Sequence, residues 1–250
     1  MNELKQKLNL ENVSVVSIDG VGHDISSIKS LKYSSNHIDF GEVIHFSAND
    51  KIYDFCKTVV IPKLTREECQ VFTLCEMAEH INTDFVLIVQ GDGFVLNPIL
   101  WNPKFLEYDY IGAPWPISNL NINTQRFPQV NEKLKSSNYT FQIGNGGFTL
   151  RSKKLMNDVK KIYNDDYKIQ DADGDPVPED AVICIWMRKE LENMGCKFPE
   201  DISFAASFSC EARAVNDINN LYNFSSDNSF GFHCRDSHPD KVKLLESVIL

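Results

Sequence analysis

Four short segments of this 250-residue chain carry side chains whose types and spacing could do chemistry. The first, Gln90-Gly91-Asp92-Gly93, ends the apolar run Phe85-Val86-Leu87-Ile88-Val89. A carboxylate at the end of a buried strand, flanked by glycines that let a ligand approach the backbone, suits a hard cation bridging two phosphates. Gly-Asp-Gly is also ordinary turn chemistry. The second is Gly144-Asn145-Gly146-Gly147-Phe148-Thr149-Leu150-Arg151. Its glycine cluster costs backbone entropy, so a ligand or a second backbone is expected close by, unless the segment is a tight loop or β-bulge. Arg151 could meet a phosphate or a sugar hydroxyl there, or be a solvated charge. In the third, Pro178-Glu179-Asp180, the carboxylates either satisfy the N–H groups and dipole of a helix start or supply a general base held rigidly at a cleft. The fourth, Phe230-Gly231-Phe232-His233, matters if its imidazole partners Asp92, since imidazole and carboxylate together suit Mn²⁺.

Two look-alikes fail. Asp171-Ala172-Asp173-Gly174-Asp175 contains two literal Asp-x-Asp patterns, but no apolar strand precedes it. Pro176 and Val182 occupy the positions where a calcium loop needs glycine and glutamate, so the segment reads as a solvated connector. Gly20-Val21-Gly22-His23-Asp24-Ile25 follows a strand but lacks the third glycine of a dinucleotide fingerprint.

The elements needed to position these segments are legible as short apolar runs alternating with helical patterns. That is how a mostly parallel sheet flanked by helices reads, an α/β fold. Strands are expected at Val13 to Ile18, Glu42 to Phe46, Thr58 to Ile61 and Phe85 to Val89. Thr65 and Glu68 have capping-box spacing ahead of a helix whose face is Cys69, Phe72, Cys75, Ala78 and Ile81. Leu155, Met156, Val159, Ile162 and Tyr163 form a helical stripe after Ser152, with lysines opposite. Another pattern runs from Pro178 through Ile183, Trp186 and Leu191 to Gly195, and a last one follows Pro239. Residues 113–142, rich in Asn, Ser and Pro, read as a long substrate-facing loop. No repeat or linker divides the chain, so one domain over 1–250, with its core at about 13–235, is expected.

Bulk properties narrow the partners. A formal net charge of −10 disfavours nucleic acid, because neutralising phosphates takes clustered Lys and Arg. An acidic chain that handles a phosphorylated ligand needs a divalent cation or a few well-placed basic groups. No run approaches the ~20 apolar residues of a membrane span, and the N-terminus has no apolar signal core. The expected location is cytoplasmic, with peripheral attachment at the inner membrane face left open. Seven scattered cysteines without a CxxC pair suit reduced thiols. Three N-glycosylation patterns, at Asn12, Asn138 and Asn223, mean little without a signal peptide.

As a set, these pieces resemble the GT-A glycosyltransferases: an apolar strand ending in an Asp-x-Asp-type motif, a glycine-rich loop, a Glu-Asp pair opening a helix, and a C-terminal histidine. More closely, Gln90 to Gly93, Tyr108-Asp109-Tyr110-Ile111-Gly112-Ala113-Pro114-Trp115 and Gly144 to Ser152 resemble an uncharacterised GT-A-like family encoded in surface-polysaccharide gene clusters. The resemblance implies sugar transfer from a nucleoside-diphosphate sugar to a hydroxyl of a carbohydrate or glycolipid acceptor, assisted by Mn²⁺ or Mg²⁺ and inverting. It implies donor contacts from Gln90, Gly91, Asp92, Gly93, Asn145, Gly146, Gly147 and Arg151, and metal contacts from Asp92 and His233. Asp180 would be the base with Glu179 in support, and Trp115 would face the acceptor. One departure matters: Gln90 stands where such enzymes usually carry the first aspartate, leaving one carboxylate and more reliance on His233 and the donor's phosphates. Two alternatives remain at this level. A sugar-1-phosphate nucleotidyltransferase would want a basic glycine-rich loop, and Gly20 to Lys29 has no basic residue before Lys29. A catalytically silent carbohydrate-binding module fits the missing carboxylate.

Overall fold

The computed structural model describes residues 7–22, 25–116, 133, 141–170, 174–211, 226–233 and 239–250. Its strands are β1 (Leu8–Asp19), β2 (Ile38–Ser47), β3 (Lys57–Val60), β4 (Phe85–Val89), β5 (Gly93–Val95), β6 (Tyr110–Ile111), β7 (Ala113–Pro116), β8 (Phe141–Gly144), β9 (Phe148–Ser152), β10 (Ser209–Glu211) and β11 (Gly231–His233). Six form the central sheet in the order β3-β2-β1-β4-β9-β6. β3, β2, β1 and β4 run parallel, and β9 is antiparallel to both β4 and β6. The α/β expectation of a mostly parallel sheet holds. Smaller sheets, β10-β11-β5 and β7-β8, lie at its margin.

β4 is continuous apolar sequence because both of its faces are covered. Val86 and Ile88 join Phe72, Met77, Ile81 and Met156 on one side. Leu87 and Val89 join Ile28, Leu31, Phe148 and Phe208 on the other. Helix α1 (Ile25–Ser35) contributes Ile28 and Leu31 to that second layer. Its serines conceal it from an apolar-periodicity reading, yet Ser27, Ser30 and Ser34 are buried where the helix meets the sheet.

Helix α2 (Arg66–Val71) opens with the expected reciprocal cap: Thr65 Oγ1 accepts from Glu68 N at 3.2 Å and Glu68 Oε2 accepts from Thr65 N at 2.7 Å. It widens to a π turn over Phe72–Glu76 and tightens to a 3-10 turn over Met77–His80 before β4. Helix α3 (Lys153–Ile162) is capped by Ser152, whose Oγ accepts from Leu155 N at 2.9 Å. Helix α4 (Glu179–Ala181) continues as a π turn, Val182–Trp186, and then Arg188–Asn193. The chain turns away at Gly195, φ +81°.

Two expectations change. β1 begins at Leu8 rather than Val13; this polar leading stretch pairs only with β2, and the register shifts between Leu10 and Ser14. The expected loop over 113–142 has strands at both ends, with Ala113 opposite Gly144 and Trp115 opposite Gln142. Pro114 and Pro116 lack a ladder N–H, which a two-stranded ribbon tolerates but a sequence pattern does not advertise. The middle of that segment lies outside the described residues. So do Asp171, Ala172 and Asp173 of the acidic look-alike, Cys234, and the Asn138 and Asn223 patterns; the six other cysteines are free thiols.

Candidate active site

The end of β4 is a tight hairpin. Gln90 and Gly93 exchange backbone hydrogen bonds of 3.1 and 3.0 Å, leaving Gly91 and Asp92 at its tip. β5 continues from the hairpin and pairs antiparallel with β11, which sets His233 opposite Gly93. His233 Nε2 lies 3.3 Å from Asp92 Oδ1, and both side chains are partly exposed. Residues 141 positions apart in sequence are thus brought together by one three-strand ladder. Across β4, Val89 pairs with Phe148, which places Gly147 beside Gln90.

The glycine loop is approached by a second backbone, as its clustering predicts, since a Cβ on Gly93 would overlap the Gly147 carbonyl and one on Gly112 the Gly144 carbonyl, and its own glycines make room for side chains as well. A Cβ on Gly144 would overlap the Trp115 indole, one on Gly146 the Glu179 carboxylate, and one on Gly147 the His233 imidazole. The Gly147 Cβ would also stand 2.9 Å from Gln90 Oε1. Gly91 is needed against Ser26, in the first turn of α1. Each glycine of the loop therefore seats a different residue already singled out by type.

Glu179 and Asp180 close the other side. Asp180 is buried, and its Oδ2 accepts from the backbone amides of Asn145 at 2.7 Å and Gly146 at 2.9 Å. Its Oδ1 accepts from Ala181 N at 2.8 Å. Burial, followed by the charge of Glu179, raises the Asp180 carboxyl to about 6, against the pull of the Gly146 and Ala181 amides and of Arg151. Arg151 is 1% exposed and so is not a solvated charge. Its Nη2 donates to Glu179 Oε1 at 2.9 Å, its Nε donates to Thr149 Oγ1 at 3.1 Å, and its guanidinium lies 5.4 Å from the centre of the Tyr110 ring. A buried guanidinium needs such a partner, and Arg151 finds it in Glu179. Trp115 packs on Gly144 at the far end of the loop.

Sequence reasoning missed the part of the crevice beyond β1. A cavity of about 160 Å³ is lined by Asp19, Gly22, Ile25, Ile28, His45, Asn49 and Tyr53, at the carboxyl ends of β1 and β2. Asp19 Oδ1 accepts from Gly22 N at 2.7 Å, and His45 Nδ1 is 2.8 Å from Ser17 Oγ. The ends of parallel strands are where open α/β sheets take ligands. The rejected Gly20-Val21-Gly22 stretch lies there, and only the strand order shows that it neighbours β4. Burial raises the thiol of Cys69, on α2, and the charges of Glu179 and Asp19 raise it further.

Residues 68–233 match the family model described as "Protein of unknown function (DUF5672)", and the chain belongs to that family. Among solved structures it is similar to "crystal structure of a glycosyltransferase involved in the glycosylation of the major capsid of PBCV-1". Identity is 11% and the TM-score 0.50, over 94% of this chain and 98% of that one. The likeness shows a shared GT-A-like fold. No curated protein matches the chain. Among the described residues no helix is long and apolar enough to cross a membrane.

Proposed function

We propose that the protein is a glycosyltransferase that moves a sugar from a nucleoside-diphosphate sugar to a hydroxyl of a carbohydrate or glycolipid acceptor. One observation carries this reading: a strand-end carboxylate with its imidazole, and a carboxylate pair of which Asp180 is buried and Glu179 partly so, meet at a single glycine loop. The cavity at the ends of β1 and β2 would take the nucleoside, with the diphosphate at Gln90 to Gly93 and the sugar against Asn145 to Gly147. Trp115 would flank the acceptor.

Asp92 and His233 would hold a divalent cation. Among the described residues no third His, Cys, Asp or Glu joins them. One carboxylate and one imidazole suit Mn²⁺ better than Mg²⁺, which prefers oxygen ligands, if the diphosphate completes the shell, so the donor set fits a cation that binds with the substrate. When bound, such an ion supplies charge stabilisation to the leaving diphosphate. The chain's own contribution is the Glu179–Asp180 pair, which takes the acceptor proton, a role worth about 10² to 10⁴ in rate. A carboxyl near 6 is largely ionised at neutral pH yet more basic than an ordinary aspartate, as a general base requires. With no further carboxylate among the described residues assigned as a nucleophile, the proposed outcome at the anomeric carbon is inversion.

The test is release of free nucleotide from UDP-, GDP- and CMP-linked sugars with and without Mn²⁺. Metal-dependent release that Asp92→Asn removes is expected. Neither turnover nor binding of any donor would sink the proposal, and metal-dependent release that survives Asp92→Asn would show the cation to lie elsewhere.

A further inference from the structure

Among the described residues Asn145 is the one non-glycine with a left-handed backbone, at φ +74°, and its neighbours Gly144, Gly146 and Gly147 are glycines. Glycine would adopt that conformation at no steric cost, and asparagine merely tolerates it. The side chain is also hidden: Asn145 is 3% exposed, and its Nδ2 has no hydrogen-bond partner among the described residues. A buried amide nitrogen without an acceptor gives up its hydration for nothing. Folding alone therefore favours glycine at this position, whereas a ligand oxygen able to accept from Nδ2 accounts for asparagine.

The loop itself indicates which part of a ligand that is. Gly147, at one end, lies against His233 and Gln90; Gly144, at the other, lies against Trp115. Asn145 and Gly146 are between them, with their backbone amides on Asp180 and with Glu179 packed on Gly146. The asparagine is thus on the aromatic and carboxylate side of the crevice, away from the Asp92–His233 pair where the diphosphate would sit. Its amide is uncharged and offers two N–H donors, a match for a hydroxyl oxygen rather than a phosphate.

Resting on the glycosyl-transfer reading, we infer that Asn145 is a specificity-determining residue whose side-chain amide donates to a hydroxyl of the sugar being transferred. Asp180 positions it by holding Asn145 N and Gly146 N.

Asn145→Gly in the full chain separates this role from a structural one. The melting temperature should be equal or higher, because backbone strain and an unpaired donor both disappear. Affinity for UDP should be unchanged, while affinity for UDP-glucose, UDP-N-acetylglucosamine or GDP-mannose, whichever the wild type binds, should fall about tenfold, as for one lost hydrogen bond. A lower melting temperature, equal losses for nucleotide and nucleotide-sugar, or no loss for either would overturn the inference. If the wild type binds no nucleotide-sugar, the transfer reading fails, and free glucose, galactose and mannose titrated against both proteins decide the role of Asn145. Sugar binding by the wild type that the variant loses keeps that role, and equal or absent binding in both overturns it.

Discussion

His233 touches two glycines, and that contact makes the seat of the imidazole testable at a single atom. A methyl group on Gly147 would occupy the space of the ring, so Gly147→Ala must push His233 away from Asp92 or shift the loop. Groups that orient metal ligands are typically worth about 10- to 100-fold in metal affinity. Mn²⁺ binding in the presence of UDP, followed by paramagnetic resonance, should weaken by about that factor in Gly147→Ala. Gly174→Ala is the control: it is strained at φ +83°, but its Cβ would have no neighbour within 4 Å, so it should lose stability and keep the ion. Unchanged Mn²⁺ affinity in Gly147→Ala would disprove the seat. At this scale the sequence showed which residue types matter and not what they touch. Arg151 follows a glycine cluster, as a phosphate ligand might, and nothing in its spacing reveals that Glu179 and Tyr110 enclose it. Asn145 likewise is marked by the resemblance alone, and nothing in its spacing reveals its left-handed backbone or its burial.

Among the elements, legibility followed the strength of the local signal. β4 appeared with its observed bounds because a run buried on both faces leaves no polar position to blur it. α2 and α3 appeared because Thr65, Glu68 and Ser152 cap them through bonds only a few residues long. α1 escaped because serines line its buried face, and β7 escaped because prolines interrupt it. The π turns at Phe72–Glu76 and Val182–Trp186 have no sequence signature either; the second directly follows the carboxylate pair, as π segments often do at functional sites. The capping box also admits a measurement. Thr65→Ala removes the acceptor for Glu68 N, and a lost threonine cap costs about 1 kcal/mol. Urea unfolding should show that loss in the midpoint with an unchanged slope, since little buried area changes. A loss below about 0.3 kcal/mol would mean that tertiary packing, not the cap, fixes the start of α2.

Over the whole molecule, the convergence of Gly93, Gly147, Glu179 and His233 depends on strand order and register, which no local pattern encodes. That convergence carries a thermodynamic consequence: a carboxyl buried beside a second carboxylate. The pKa of Asp180 rises from about 3.9 when unfolded to about 6 when folded. The folded state therefore binds the proton more tightly, and this contribution to stability is present below the unfolded value and lost as pH rises through about 6. Glu42 and Asp158 act in the opposite sense. Burial pushes each up, but bonds from Asn82 and Ser14 to Glu42, and from Lys161 and Lys154 to Asp158, outweigh it and hold both below the ordinary range. Their stabilisation is present above the unfolded carboxylate values and fades as pH falls through the folded ones. From these groups stability should accordingly be highest at about pH 4, decline between about pH 4 and pH 6, and level off above. Repulsion from the net charge of −10 also grows with pH, but removing one of 35 acidic side chains changes it little. Asp180→Asn, neutral throughout, isolates the buried carboxyl. Calorimetric melting from about pH 3.5 to 7.5 should show the wild type losing ground to the variant between about pH 4 and pH 6, with a constant difference above that. A difference between the two proteins that does not vary with pH would mean that Asp180 is not the titrating group, and the general-base role would then need another carboxylate.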